Sequence, residues 1–175
     1  MKTVYIGLGS NLGDSLQVVQ ESWARLGIVP GICLGKLSHP YLTEPVGMDS
    51  DNWFVNAVGQ LQTSLAPKEL LHCMHLIEEQ FGRVRDSAVD GYQDRVLDLD
   101  LLLYGQDVLQ GDVHVPHPAM QKRLFVLLPL CEIAPDVQHP VLEKRMGDLL
   151  AALQDAEGHQ VVKKTEWSAD KGSTE

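Results

Sequence analysis

Apolar and polar residues alternate most plainly in Arg95-Val96-Leu97-Asp98-Leu99-Asp100-Leu101-Leu102-Leu103-Tyr104. Side chains leave an extended backbone on opposite faces in turn, so a period of two predicts a strand. Leu97, Leu99, Leu101 and Leu103 are expected on one face, with Asp98 and Asp100 together on the other. Two residues of extended chain advance about 6.6–7 Å, which sets the carboxylates side by side. Paired carboxylates in an apolar strand repel each other and resist burial unless positive charge offsets them. Mg²⁺ suits that need, being a hard cation that takes oxygen ligands and bridges to substrate phosphates. The plainer alternative is the wet face of an edge strand. Arg83, Arg85 and Arg95 before the pair, and His117 and Arg123 after it, favour metal-bound polyphosphate over that alternative. A structural cluster of salt bridges stays open.

The rest of the chain divides by the same kind of pattern. Residues 3–8 predict a first strand, and Gly7-Leu8-Gly9-Ser10-Asn11-Leu12-Gly13-Asp14 turns out of it. Asp14 is placed to cap a helix, with Gln17 three residues on. Leu16, Val19, Trp23 and Leu26 give that helix an apolar stripe, which Gly27 ends. The glycines match no phosphate-binding fingerprint, so a tight turn is expected, with a substrate-side role open to Ser10 and Asn11. A less regular strand over 31–42 leads to the loop Thr43-Glu44-Pro45-Val46-Gly47.

Residues 53–63 predict another strand, with Val55, Ala57 and Leu61 on one side and Phe54, Asn56 and Val58 on the other. An aromatic ring beside an amide can stack on and hydrogen-bond a flat heterocycle, although a lone Phe more often packs a core. Pro67 begins a helix to about residue 81, with Leu70, Met74, Ile77 and Phe81 inward and His75 and Glu78 on a neighbouring face. Arg83 and Arg85 follow its negative end. The polar stretch 86–94 is the candidate for a mobile lid. Beyond the Asp strand come Gly105, the stretch 107–115 and His114-Val115-Pro116-His117-Pro118. A helix over 120–133 interrupted by Pro129, a helix over 146–153, a last strand over 161–167 and a disordered tail, 169–175, complete the chain. The order βαββαβ fits a ferredoxin-like α+β sandwich with helices on one face of an antiparallel sheet, as a single domain over 1–168.

Charge and composition narrow the function. At −10 and pI 5.0 the chain is not built to adhere to nucleic acid or to an anionic membrane, so an anionic substrate needs a local basic site. Cys33, Cys73 and Cys131 are widely spaced and odd in number, which predicts buried free thiols in a reducing cytosol. The N-terminus lacks a signal-peptide core and no apolar run approaches a membrane span, so a cytoplasmic protein is expected. His114 and His117 have no cysteine near them and do not match a zinc pattern.

Taken in order, six segments resemble the 6-hydroxymethyl-7,8-dihydropterin pyrophosphokinase family of folate biosynthesis. They are Gly9-Ser10-Asn11-Leu12-Gly13-Asp14, Thr43-Glu44-Pro45-Val46-Gly47, Phe54-Val55-Asn56-Ala57-Val58, Gly82-Arg83-Val84-Arg85, Arg95-Val96-Leu97-Asp98-Leu99-Asp100, and Val115-Pro116-His117-Pro118 with Arg123-Leu124-Phe125. The resemblance spans residues 5 to about 136. It implies transfer of pyrophosphate from ATP to the pterin hydroxymethyl oxygen, with release of AMP. By the same resemblance, Asp98 and Asp100 hold two Mg²⁺ ions, and Arg83 and Arg95 neutralise the transferred group. His75, Glu78, Arg83, Arg85, Tyr92, Arg95, His117 and Arg123 match ATP-binding positions. Phe54 and Phe125 sandwich the pterin, whose polar edge meets Asn56 and the backbone of Thr43, Glu44, Pro45 and Val46.

This chain departs from the family pattern at a few points. Tyr92-Gln93-Asp94 replaces Trp-Gly-Pro before Arg95, putting an acid beside the expected phosphates. His75 replaces a glutamine, and the loop 86–94 is longer than in compact members. The implied partners are two small molecules, with no nucleic acid or membrane, and a monomer is expected. A non-catalytic nucleotide or pterin binder and a metal-dependent phosphohydrolase are the alternatives.

Overall fold

Six strands make one antiparallel sheet in the computed structural model, which describes residues 1–45, 50–83, 94–156 and 160–167. The strands are β1 (Lys2–Ser10), β2 (Ile32–Leu37), β3 (Tyr41–Thr43), β4 (Phe54–Thr63), β5 (Asp98–Tyr104) and β6 (Val162–Lys164). The helices are α1 (Ser15–Gly27), α2 (Pro67–Gln80), α3 (Leu124–Ile133) and α4 (Met146–Asp155). The sheet runs β5-β1-β4-β3-β6, and β2 pairs with the far end of β4.

The period-two pattern decides which residues face which helices. Val4, Ile6, Leu8, Val55, Ala57, Leu61, Leu97, Leu99 and Leu101 form one core with Val19, Trp23 and Leu26 of α1 and Leu70, Met74 and Ile77 of α2. Each such aliphatic side chain, fully buried, contributes about 1.5–3 kcal/mol. Asp14 caps α1 as expected, accepting from Gln17 N at 3.1 Å. Gly59 is required where α1 crosses β4, since a Cβ there would lie 2.3 Å from the Trp23 ring. The opposite face of the sheet carries Tyr5, Val58, Leu102 and Leu103, covered by Val126, Leu127 and Leu130 of α3 and Met146 and Leu149 of α4. Thus α1 and α2 lie on one face, while α3 and α4 add a layer on the other.

Several local expectations change. Leu103 does not share a face with Leu97, Leu99 and Leu101. The β1–β5 register shifts between Tyr5 and Ile6, and this bulge sends Leu102 and Leu103 into the second core while Tyr104 returns to the first. The strand expected over 31–42 is two strands, because Ser38, His39 and Pro40 leave the ladder. Ser38 instead exchanges hydrogen bonds with Val58, backbone to backbone at 2.9 Å and through its hydroxyl at 3.0 Å. The helix expected over 120–133 breaks at Arg123, which is extended, rather than at Pro129. A 3-10 turn, Met120–Lys122, precedes the break, and Pro129 sits buried within α3. Arg95 precedes β5, since its N–H is taken by the Asn11 side chain at 2.8 Å instead of by a neighbouring strand. The three thiols are free but not buried: Cys33 lies exposed on β2, and Cys73 and Cys131 are half-buried. Expectations for Val46, Arg85, residues 86–93 (Tyr92 among them) and the tail fall outside the described residues.

Candidate active site

Gly7 and Gly9 form a bare floor on the second face of β1. By register Gly9 lies between Asn56 on β4 and Asp98 on β5, and Gly7 lies between Val58 and Asp100. A Cβ on Gly9 would come within 3.0 Å of Asn56 Oδ1, and one on Gly7 within 3.6 Å of the Asp100 Cβ. The Asn56 and Asp98 backbones are therefore two strand spacings apart, about 9.5 Å, with nothing but glycine between them.

Two cavities meet at the acids. The first, about 390 Å³, is lined by Thr43, Glu44, Phe54, Asn56, Arg123 and Phe125 beside the glycine floor, Asp98 and Asp100. Asn56 is buried and donates through Nδ2 to Thr43 Oγ1 at 2.8 Å. The Arg123 guanidinium lies 5.6 Å from the Phe125 ring centre, a cation–π contact. The second cavity, about 220 Å³, is lined by His75, Arg83, His114 and His117 with apolar neighbours, and again by Asp98 and Asp100.

The charges around the pair are ordered. Arg83 Nη1 donates to Asp98 Oδ1, and Arg95 Nη1 to Asp98 Oδ2 at 2.8 Å. Arg83 Nη1 also donates to Glu78 Oε1 at 2.5 Å. Burial and the neighbouring Asp98 push the Asp100 carboxyl up to about 6, against the pull of Arg123 and Arg95. His117 Nδ1 accepts from Ala119 N at 3.2 Å, so a neutral ring presents Nε2–H towards Asp100 Oδ1, 3.8 Å away. Burial and Arg123 lower the pKa of that imidazole. Among the described residues no group of three or more His, Cys, Asp or Glu is placed to hold a metal. Two carboxylates on a cavity wall fit a cation that takes its other ligands from substrate and water, as Mg²⁺ does beside phosphates.

The structure thus brings Asp98, Asp100, Arg83, His75 and His117 to one cavity. It brings Thr43, Glu44, Phe54, Asn56, Arg123 and Phe125, with Arg95 and the same acids, to the other. Pro45 follows Glu44 without lining either one. Glu78 is no solvated surface residue: at 1% exposure it sits beneath the site. Ser10 and Asn11 do not line the cavities; Ser10 bonds Ser15, and Asn11 holds Arg95. Asp94 is turned from the acids, accepting from Asn11 Nδ2 at 2.7 Å and Asn52 Nδ2 at 3.2 Å. Sequence reasoning missed Gly7, Gly9, Lys122, Leu153, Ala156 and Gln160. Glycines two apart on the face of Tyr5 were a signal for the first two.

Fold and site define a class: an antiparallel α+β sandwich holding paired carboxylates and guanidiniums between an aromatic-walled and an imidazole-walled cavity, the layout of a phosphate-transferring enzyme. The family model for 7,8-dihydro-6-hydroxymethylpterin-pyrophosphokinase (HPPK) matches residues 5–135, and the chain belongs to that family. It is similar to the 2-amino-4-hydroxy-6-hydroxymethyldihydropteridine pyrophosphokinase of Pseudomonas aeruginosa, 39% identical over 153 residues, which cover 87% of this chain and 92% of that one. The Synechocystis protein of the same name is 41% identical over 146 residues, 83% of this chain and 73% of the other. Among solved structures, wild-type HPPK-DHPS of Plasmodium falciparum superposes with a TM-score of 0.67 at 13% identity, over 86% of this chain and 41% of that one. That likeness concerns the fold, and this chain spans about two fifths of that chain's length.

Proposed function

We propose that this chain transfers the pyrophosphoryl group of ATP to the hydroxymethyl oxygen of 6-hydroxymethyl-7,8-dihydropterin. The observation that carries the reading is the pair of cavities of different lining that share Asp98 and Asp100. A donor on one side and an acceptor on the other then meet at one charged boundary. The pterin stacks with Phe54 and Phe125, and its polar edge faces Asn56 and the backbone of Thr43 and Glu44. The glycine floor lets the ring lie flat and point its hydroxymethyl group at the acids. ATP takes the second cavity, with His75 and His117, and reaches Arg123; Arg85 and Tyr92, which lie outside the described residues, are assigned to ATP by the family resemblance alone.

The pterin hydroxyl gives up its proton to solvent as its oxygen forms a bond to the β-phosphorus, the bond from that phosphorus to the α-side bridging oxygen breaks, and AMP leaves with that oxygen and the bonding electron pair. The HPPK family is Mg²⁺-dependent. Asp98 and Asp100 would hold two Mg²⁺ ions, which when bound supply positive charge to the triphosphate and acidify the attacking hydroxyl. Arg83 and Arg95, which here neutralise Asp98, exchange carboxylate for phosphate oxygens as ATP enters. That swap keeps every charge paired while aiming two guanidiniums at the group in flight. Glu78 acts through Arg83, from below. Both cavities are walled by one chain, so a monomer suffices, and a cytoplasmic setting supplies ATP and keeps the thiols reduced. No helix among the described residues is long and apolar enough to cross a membrane.

The test is AMP release from ATP, with and without the pterin and with and without Mg²⁺. AMP is expected only when both are present, and Asp98→Ala should reduce it at least about a hundredfold. Phosphate release without pterin, or full activity in Asp98→Ala, would overturn the reading.

A further inference from the structure

Residues 5–135 do not enclose the first cavity by themselves. Leu153 and Ala156, at the end of α4, and Gln160 beyond it line the same space as Phe54, Asn56 and Phe125. The strand that follows is laid along the cavity's other wall. In the β3–β6 ladder Tyr41 faces Lys164, Leu42 faces Lys163 and Thr43 faces Val162.

Past the ladder, Glu44 meets this segment through three groups. Its carbonyl accepts from Gln160 Nε2 at 3.1 Å, its carboxylate Oε1 accepts from Val161 N at 3.0 Å, and its N–H donates to Val161 O at 3.4 Å. Next to Phe54, the Trp53 ring lies 5.3 Å from the Lys163 ammonium. Thr43 and Glu44, and Trp53 next to Phe54, are therefore braced from outside by residues 160–164. A strand of three residues that runs straight into Pro45 has few bonds of its own to fix its end. With β4 on one side alone, the Glu44 carbonyl would be free to turn.

We propose that Gln160 is a positioning residue for the acceptor cavity. The segment formed by Leu153, Ala156 and residues 160–164 then sets the affinity for the flat heterocycle, and it takes no part in holding the nucleotide or in moving the phosphoryl group. The inference rests on the reading of this cavity as the pterin site. None of these residues lines the second cavity, so the effect is confined to one substrate. The Gln160 amide is the key contact because its N–H fixes the Glu44 carbonyl at the very edge that faces the ring.

The test uses the full chain with Gln160→Ala and the isosteric Gln160→Glu, which keeps the shape but has no N–H and sets an acid beside Glu44. Steady-state kinetics are combined with direct pterin binding in the presence of Mg²⁺ and a non-hydrolysable ATP analogue. Both variants should raise the pterin KM and Kd about fivefold, the weight of one hydrogen bond, with kcat, the KM for ATP and Tm near the parent's. A purely structural role would move the ATP and pterin terms together. Pterin Kd within twofold of the parent in both variants, or an equal rise in the KM for ATP, overturns the inference. A parent that binds pterin yet forms no AMP refutes the proposed reaction alone; a parent that binds no pterin overturns both.

Discussion

Glu78 of α2 holds Arg83 from beneath the site, carboxylate to guanidinium at 2.5 Å, and accepts the Leu99 N–H of β5 at 2.7 Å through the same oxygen. β5 is the edge of the sheet, so that N–H has no strand on its outer side. One buried acid therefore finishes the edge of the strand that carries Asp98 and Asp100 and orients the Arg83 guanidinium.

Removing that acid should separate stability from chemistry. Glu78→Ala leaves the Leu99 N–H and one side of Arg83 without their acceptor and should cost about 2–4 kcal/mol in urea unfolding. Glu78→Gln keeps an oxygen for Leu99 N and should recover most of the stability, while kcat stays at least tenfold down because Arg83 has lost its charged anchor. Equal kcat in Glu78→Gln and the parent would show that Arg83 is positioned by Asp98 alone.

The acid pair gives a pH dependence of defined sign. The Asp100 carboxyl is raised to about 6 from an ordinary value near 3.8, chiefly by burial and Asp98. Ionising it strains the fold, so this contribution favours stability below about 3.8 and is lost as pH rises through 6. In chelator, the parent's Tm should fall across that window relative to Asp100→Asn. If Mg²⁺ is held by the pair as proposed, it needs both carboxylates ionised, so its affinity, measured by calorimetry with an ATP analogue, should weaken as pH drops below 6. An Mg²⁺ affinity flat from pH 5 to 7.5 contradicts this.

What could be read from the chain followed from local period and failed where distant segments decide. Phe54 and Asn56 share a face, as do Asp98 and Asp100, because two-residue spacing survives in any regular strand. Leu103 was misplaced because a bulge is one extra residue, and hydrophobic alternation does not mark it in a run of leucines. That His75 and Glu78 stand three residues apart on α2 was legible from the sequence. That Glu78 lies under a strand edge is a property of how α2 docks on β5. The cavity wall at Leu153, Ala156 and Gln160 had no signal at all, since α4 reads as an ordinary amphipathic helix.

Asp94 offers a second separation. Its carboxylate collects the amides of Asn11 and Asn52 and the hydroxyl of Ser50, and these bonds hold it below the ordinary carboxylate range. Asn11 in turn grips Arg95, accepting its N–H and donating to its carbonyl at 3.1 Å. Asp94→Ala should leave Tm nearly unchanged, because the group is exposed, yet speed amide exchange at residues 50–52 and at Arg95 and lower kcat severalfold. Unchanged exchange at Arg95 would show that Asn11 needs no help.

The last expectation concerns acid. Glu132 on α3 accepts from His39 N at 3.0 Å, His39 Nδ1 at 2.6 Å and the Tyr41 hydroxyl at 2.7 Å, with Lys164 of β6 at 3.4 Å. One carboxylate so ties α3 to β3 and β6, the strands that brace the acceptor cavity. Burial alone would raise its pKa, but the hydrogen bonds from His39 and Tyr41 outweigh burial and bring it to about 2. A depressed pKa means stability that is present above the ordinary value near 4.5 and lost as pH falls towards 2. After allowance for solvent screening the contribution is about 1–2 kcal/mol. Urea unfolding between pH 5 and 2.5 should show the parent losing that much more than Glu132→Gln, with the loss extending below the range in which Asp100 titrates. Parallel curves for the two proteins across that range would mean that the tie is geometric and carries no charge dependence.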